Sequence, residues 1–272
     1  FARRMTPPSP AFLRTVIDRL PALKDQPWLP LAGGRTNRLW RVGQAVIKAY
    51  DSAAASPLFP NDPAAEARAL ELLGPVGLAP EFVGAGDGWL AYAHVDGQVW
   101  QSNPAPVARM LARLHQVNPS GFRPAASGSA ALLAQAQAIA AACRSTLPPA
   151  PPDPGVPPVS RPCLIHADAV AGNLIDGPGG ITLIDWQCPA SGDPTEDVAT
   201  FLSPAMQWLY RGRVLSPPET EAFLSAYPDP DVTTRYLRLR PLYRWRMAAH
   251  CLWKADRGAP DYEQAVAAEL AS

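Results

Sequence analysis

No apolar run in this 272-residue chain approaches the roughly twenty residues that a helix needs to cross a bilayer, and no secretory apolar core opens it. A spanning or exported protein is therefore not expected, and the cytoplasm is the default location. Phe1 to Arg4, ahead of Met5, reads either as a cloning remnant or as an upstream extension. Net charge is lacking too: Lys+Arg 24 against Asp+Glu 24 leaves no electrostatic footprint for nucleic acid. The four cysteines, Cys143, Cys163, Cys188 and Cys251, form no C-x-x-C pair, which argues for reduced thiols over a disulfide framework or a zinc site. The four histidines are equally dispersed, and no pair has the spacing of a metalloprotease helix. His115 follows Val107, Met110, Leu111 and Leu114, a helical core stripe, and reads as a structural histidine at its edge.

Lysine is nearly missing. Lys24, Lys48 and Lys254 stand against twenty-one arginines, so an ammonium is rarely used where a guanidinium would serve. Lys48 ends the apolar run Ala45-Val46-Ile47, where a point charge can reach anionic oxygens in a narrow site. The alternative is a lysine snorkelling from a strand edge.

What the chain does have is the stretch Leu164 to Trp186, LIHADAVAGNLIDGPGGITLIDW. Read as strand, loop and hairpin, it brings an acid, an amide and a second acid, Asp168, Asn173 and Asp185, to one end of a small sheet. Asp176 falls in the expected turn and reads as a turn residue. The trio suits metal-assisted phosphoryl transfer. That reaction needs little covalent help, but it requires an aligned hydroxyl, magnesium on the phosphates and neutralised charge. Asp168 is a candidate base, and Asn173 and Asp185 are hard oxygen ligands suited to Mg2+. His166 to Asn173 follows the spacing H-x-D-x-x-x-x-N, with a metal-binding Asp beyond it. The competing reading is that Asp168 and Asn173 only cap turns.

At these residues the chain resembles the aminoglycoside phosphotransferase and choline kinase family, a branch of the protein-kinase-like fold. The resemblance runs from about Leu29 into the last helices. Gly33-Gly34-Arg35-Thr36-Asn37 is similar to the family's phosphate-covering hairpin, Ala45 to Lys48 to the strand carrying the ATP lysine, and Glu66 to that lysine's helix partner. Glu66 also reads as a solvated helix former, with Glu71 its competitor. Ala93 to Gly97, with Ala93 and Val95 as backbone contacts, resembles the adenine-binding hinge. Gly192 to Ala199, GDPTEDVA, is similar to a segment whose second Asp, here Asp197, braces the catalytic loop; His166 supports the same loop. Ala167, Val170 and Ala171 replace the family's Gly, second His and Pro.

The resemblance implies an α+β, protein-kinase-like two-lobed fold. Residues 1–95 would form a small β-rich nucleotide lobe, and residues 96–272 a larger helical lobe holding catalysis and the acceptor site. It implies an ATP- and Mg2+-dependent kinase acting on the hydroxyl of a small molecule, without nucleic-acid or membrane partners. The rival reading is a nucleotide-binding pseudokinase or regulatory protein. Gly33, Gly34, Thr36 and Asn37 would join Lys48 and Glu66 at the nucleotide.

For the acceptor the residues point two ways. Arg235, Arg238, Arg240, Arg244 and Arg246 crowd a helical stretch that Pro241 should break or bend, and such a region suits a polycation poorly. They also read as arginines on solvated helix faces. Trp186, Trp208, Tyr210, Tyr243, Trp245 and Trp253 would offer π faces to a quaternary ammonium, as in choline, or else fill the core. Gln187 stands where choline and thiamine kinases commonly carry Glu. Leu147 to Pro162, eight of whose sixteen residues are Pro, reads as an extended, solvent-facing connector. Asp193 reads as a cap for a helix starting near Pro194, and Glu219 and Glu221 as a solvated first turn.

Overall fold

The computed structural model describes residues 7–31, 36–51 and 53–271. Helix α1 (Pro10–Arg19) starts where the Ser9 hydroxyl accepts the Phe12 amide at 3.2 Å. It lies on an antiparallel sheet of β1 (Trp28–Pro30), β2 (Arg38–Val42) and β3 (Ala45–Ala49). Gly43, at φ +61°, makes the tight turn between β2 and β3. Phe12, Trp28 and Trp40 meet with ring centroids 5.6–6.2 Å apart and seal the helix to the sheet. Helix α2 (Pro63–Leu73) begins at Asp62, whose carboxylate accepts the Ala64 and Ala65 amides at 3.0 Å, a cap contributing about 1 kcal/mol. Strands β4 (Phe82–Gly86) and β5 (Trp89–Ala93) complete the sheet in the order β1-β2-β3-β5-β4.

After Ala93 the chain changes character. Strand β6 (Gln98–Val99) is followed by α3 (Pro104–Leu114), α4 (Ser129–Ala141), β7 (Cys163–Ile165), β8 (Leu174–Gly177), β9 (Gly180–Leu183) and β10 (Ala190–Gly192). Five helices follow: α5 (Thr195–Leu202), α6 (Pro204–Arg211), α7 (Pro217–Ala226), α8 (Pro230–Ala255) and α9 (Asp261–Leu270). Strand β8 lies between β6 and β9, and β7 pairs with β10. A β-sheet N-terminal region thus joins a helical C-terminal part, the protein-kinase-like α+β arrangement. One hydrophobic core runs from Val46 and Leu70 through Leu111 to Trp186, Phe201 and Leu242.

One sequence expectation is corrected, and at Pro241 one of two alternatives, a break, is ruled out. Asp176 is not in the turn: Gly177 pairs with Gly180 around Pro178-Gly179, so Asp176 is a β8 residue facing solvent, opposite Ile181 and Gln98. Helix α8 is not broken at Pro241 but runs through it as a single 26-residue helix. The proline ring removes the amide that would have bonded the Leu237 carbonyl. Both residues face solvent, where water can serve that carbonyl.

The proline-rich connector has no helix or strand between Leu147 and Val159, yet it is fastened along α8. Trp245 Nε1 donates to Pro148 O at 2.9 Å, Arg238 to Pro154 O at 3.4 Å and Arg235 to Pro157 O at 2.6 Å. Val156, 3% exposed, plugs into the core while its amide and carbonyl bond Ser129.

Candidate active site

Strand β3 is buried along its whole length, and Lys48 near its end has no exposed surface. Its ammonium bonds Glu66 Oε2 of α2 at 2.6 Å and also the Asp185 carboxylate. Tyr50 OH donates to the same Glu66 oxygen at 2.6 Å. Burial alone would lower the Lys48 pKa, but Asp185 and Glu66 outweigh it and hold the group above the usual lysine value. Glu66 rather than Glu71 is therefore the partner, and its Oε1 is buried without a hydrogen bond. Removing one member of a buried pair leaves an uncompensated charge, which costs about 3–5 kcal/mol.

The loop after β7 supplies the acid and the amide. Asp168 is 8% exposed, and burial, with Asp185 nearby adding to it, pushes its carboxyl well above the usual carboxylate range. Asn173 Nδ2 donates to Asp168 O at 2.9 Å, which commits the amide nitrogen and leaves Oδ1 as the oxygen able to meet a cation. Gly172 lies against the Tyr210 ring with no room for a β-carbon. The loop is hung from Asp197 on α5, which accepts the His166 amide at 2.8 Å and the Ala167 amide at 2.7 Å.

His115 completes this support. It sits at the C-terminal end of α3, 8% exposed, with Nε2 bonded to Asp197 at 3.1 Å and Nδ1 to the Tyr227 hydroxyl at 2.7 Å. Sequence alone marked it as a core-edge histidine; its link to the brace needed three distant elements in place. His166 donates from Nε2 to Ile184 O at 3.0 Å and accepts the Asp168 amide at Nδ1 at 3.2 Å, and burial lowers its pKa, so the ring is neutral.

Two site residues have left-handed backbone, Ala167 at φ +61° and Asp185 at φ +62°. Such conformations cost on the order of 1–3 kcal/mol for a residue with a side chain and persist only where neighbours enforce them. Around Asp185 the enforcement is visible. Ile184 is bonded at both its amide and its carbonyl, and Trp186 packs edge-on to His166 with centroids 4.5 Å apart.

The remaining expected residues divide. Gly33 and Gly34 lie outside the described residues. Thr36 is half-buried at the foot of β2. Asn37 is buried, and its amide bonds Asn61 at 2.9 Å and Gln187 at 2.8 Å. At the hinge, the Ala93 amide is taken by Glu81 O and the His94 amide by Gln44 O, both at 2.8 Å. Val95 follows, half-buried. Asn61, in an ordinary N-D-P helix approach, carried no signal in the sequence.

Of the clustered arginines, Arg235, Arg238 and Arg246 bond to groups of the C-terminal part. Arg235 pairs with Asp193, whose other oxygen caps Thr195 at 3.1 Å, and Arg246 pairs with Glu196. Glu219 closes a capping box with Ser216 and pairs with Arg211 and Arg213. Trp186, Tyr243 and Trp245 are buried, and Trp253 is covered by the Arg257 guanidinium 4.1 Å from its centroid. Those four are accounted for by packing. No group of three or more His, Cys, Asp or Glu able to hold a metal occurs among the described residues. A carboxylate and an amide oxygen, Asp185 and Asn173, remain as the hard-oxygen set, which fits a Mg2+ ion that keeps waters and phosphate oxygens as its other ligands. Lys48 occupies only one Asp185 oxygen.

No curated protein sequence matches the chain. Solved structures do, at low identity. A choline/ethanolamine kinase family protein from Mesorhizobium loti is 17% identical with a TM-score of 0.68, covering 96% of this chain and 92% of that one. The choline kinase LicA from Streptococcus pneumoniae is 18% identical with a TM-score of 0.63, covering 96% and 100%. The streptomycin-ATP-APH(2")-IIa ternary complex is 14% identical with a TM-score of 0.65, covering 98% of each chain. These likenesses describe the fold. The family model for the phosphotransferase enzyme family matches residues 27–242, most of the chain, and the protein belongs to that family.

Proposed function

We propose that the protein transfers the γ-phosphoryl group of ATP to a hydroxyl of a small molecule in a Mg2+-dependent reaction. One observation carries this reading: β3, α2, the loop after β7 and the segment after β9 bring Lys48, Glu66, Asp168, Asn173 and Asp185 together, all but Asp185 buried. Membership in a phosphotransferase family supports it. The neighbours named for choline and for streptomycin leave the acceptor class undivided between them.

In this reading Lys48 holds phosphate oxygens, and Glu66 and Tyr50 fix its ammonium. The chain from Ala93 to Val95 lies against adenine; with the Ala93 and His94 amides already bonded, Val95 is the main-chain contact to test. Asn173 Oδ1 and the Asp185 carboxylate would hold Mg2+, which when bound neutralises phosphate charge. Asp168 accepts the proton of the acceptor hydroxyl as that oxygen bonds to phosphorus and the bond to ADP breaks. Its raised pKa makes it a better proton acceptor than an exposed aspartate. Asp197 and His115 keep the loop in register.

The experiment is ATP turnover against a panel of small alcohols, with wild type and Asp168→Asn side by side. Wild type forms ADP and a phosphate ester only with Mg2+ and the right alcohol. Asp168→Asn keeps nucleotide binding and loses about 10²–10⁴ in kcat. Unimpaired transfer by that variant removes Asp168 as the base. Nucleotide binding without turnover on any alcohol would instead identify a binding protein that no longer transfers phosphate.

A further inference from the structure

Asp185 is held between two fastened flanks, and the upstream flank is fastened within its own half of the molecule. There, Ile184 N donates to Asn173 O at 2.9 Å and Ile184 O accepts from His166 Nε2 at 3.0 Å. Downstream, Trp186 donates from Nε1 to Leu183 O at 2.9 Å and packs on His166, and Cys188 O accepts from Arg123 at 3.1 Å, but Gln187 between them is bonded from the N-terminal half. Asp62 N donates to Gln187 O at 3.1 Å, Asn37 Nδ2 donates to Gln187 Oε1 at 2.8 Å, and Cys188 Sγ reaches Pro60 O at 3.0 Å. Asn61 ties the crossing segment together, bonding Asn37 through both amides at 2.9 Å and Asp51 O at 3.0 Å. Asn37 Oδ1 also takes the Asp51 amide at 3.0 Å. Asn37 and Gln187 are 5% and 3% exposed.

We propose that Asn37 and Gln187 form an interlobe latch that positions the Asp185 carboxylate for the metal. The inference rests on the phosphotransfer reading above and adds residues to it. Asp185 has left-handed backbone, so a freed flank lets it relax and carries the carboxylate away from Asn173. The side-chain bonds of the latch join neutral amides, so geometry and not charge sets its hold, and salt does not screen it. Lys48 and Glu66 hydrogen-bond each other, Asp185 and Tyr50 but neither Asn37 nor Gln187, so nucleotide binding and metal use can be read separately. Asn37 thereby acts at the site through Gln187 and not through phosphate.

The test titrates Mg2+ into the full chain with a fluorescent ATP analogue, reading binding and not turnover. Gln187→Met keeps the side-chain volume and removes the accepting oxygen. It raises the Mg2+ needed for half-maximal binding by on the order of 10-fold, as for other groups that orient metal ligands. Metal-free nucleotide binding stays within about twofold. Asn37→Ala raises the Mg2+ requirement likewise, and the double variant is no worse than the more impaired single one, because both cut one interaction. Gln187→Glu, which retains the accepting oxygen, stays within about twofold of wild type. If Asn37→Ala fails to fold, Gln187→Met against Gln187→Glu decides alone. A wild-type Mg2+ requirement in Gln187→Met, or losses that multiply in the double variant, overturns the latch and leaves the phosphotransfer reading standing. Wild-type protein with no Mg2+-dependent nucleotide binding overturns that reading and the latch with it.

Discussion

At the scale of single residues, Ala167 shows how a local rule can be broken and held. It has the left-handed backbone that a glycine adopts freely, and Asp197 enforces this by bonding its amide. Replacing it with glycine removes about 1–2 kcal/mol of strain and gives up the burial of one methyl group, about 0.8 kcal/mol. Ala167→Gly is therefore expected to raise stability by up to about 1 kcal/mol; equal or lower melting temperature would show that the loop is not strained there. The acid, amide and second acid were legible because the chemistry demands those residue types at that spacing. Asp176 was misplaced because Asp176 to Gly180 holds several tight turns, and only pairing with β6 and β9 selects the one around Pro178-Gly179. Asn61 was invisible because its role depends on Asn37 and Asp51, which no local pattern joins to it.

Among elements, the seating of α9 turns on one buried carboxylate. Glu269, 2% exposed, accepts Ser203 Oγ at 2.6 Å and the Ala205 amide at 2.9 Å, so α9 closes the start of α6. Burial pushes its pKa from 4.5 up to about 7, with both hydrogen bonds and Arg244 acting against the rise. A folded-state value above the unfolded one means that the native protein binds the proton more tightly. The contribution to stability is then largest below pH 4.5, falls as pH rises to about 7, and is flat beyond. Glu269→Gln keeps an accepting oxygen and cannot ionise. It should stabilise the protein by about 1–3 kcal/mol at pH 8 and change little at pH 4.5, read by denaturant melts. A destabilised variant at pH 8 would mean that the charge itself holds the helix. The other helices show what sequence can and cannot deliver. Pro63, Pro104 and Pro217 stand at the first positions of their helices, where a proline is at home, whereas Pro241 sits inside α8 because the Leu237 carbonyl it leaves unserved faces water.

Across the whole molecule, a second buried group opposes the first. His250 is 1% exposed between Phe59 and Tyr262, and burial, with Lys254 and Arg246 adding to it, lowers its pKa from 6.5 to about 3. Here the unfolded chain binds the proton more tightly, so stability is lost as pH falls from 6.5 toward 3. Between 6.5 and 4.5 the gain from Glu269 and the loss from His250 offset each other. These two contributions should therefore cancel in that window, and the loss from His250 alone continues below it. In His250→Phe, if the larger ring is accommodated, stability should instead climb on acidification to pH 4.5, and a profile unchanged from wild type would exclude the histidine as the acid-sensitive group.

The connector from Leu147 to Pro162 bears on the same balance from the side of the unfolded chain. A long segment with neither helix nor strand ordinarily surrenders much backbone freedom when it docks. Half of this one is proline, whose rings restrict φ before folding begins, so α8 needs only a few carbonyl contacts and one buried valine to hold it. Composition that looks like a loose tether behaves here as a splint, stiff in advance and therefore cheap to set in place.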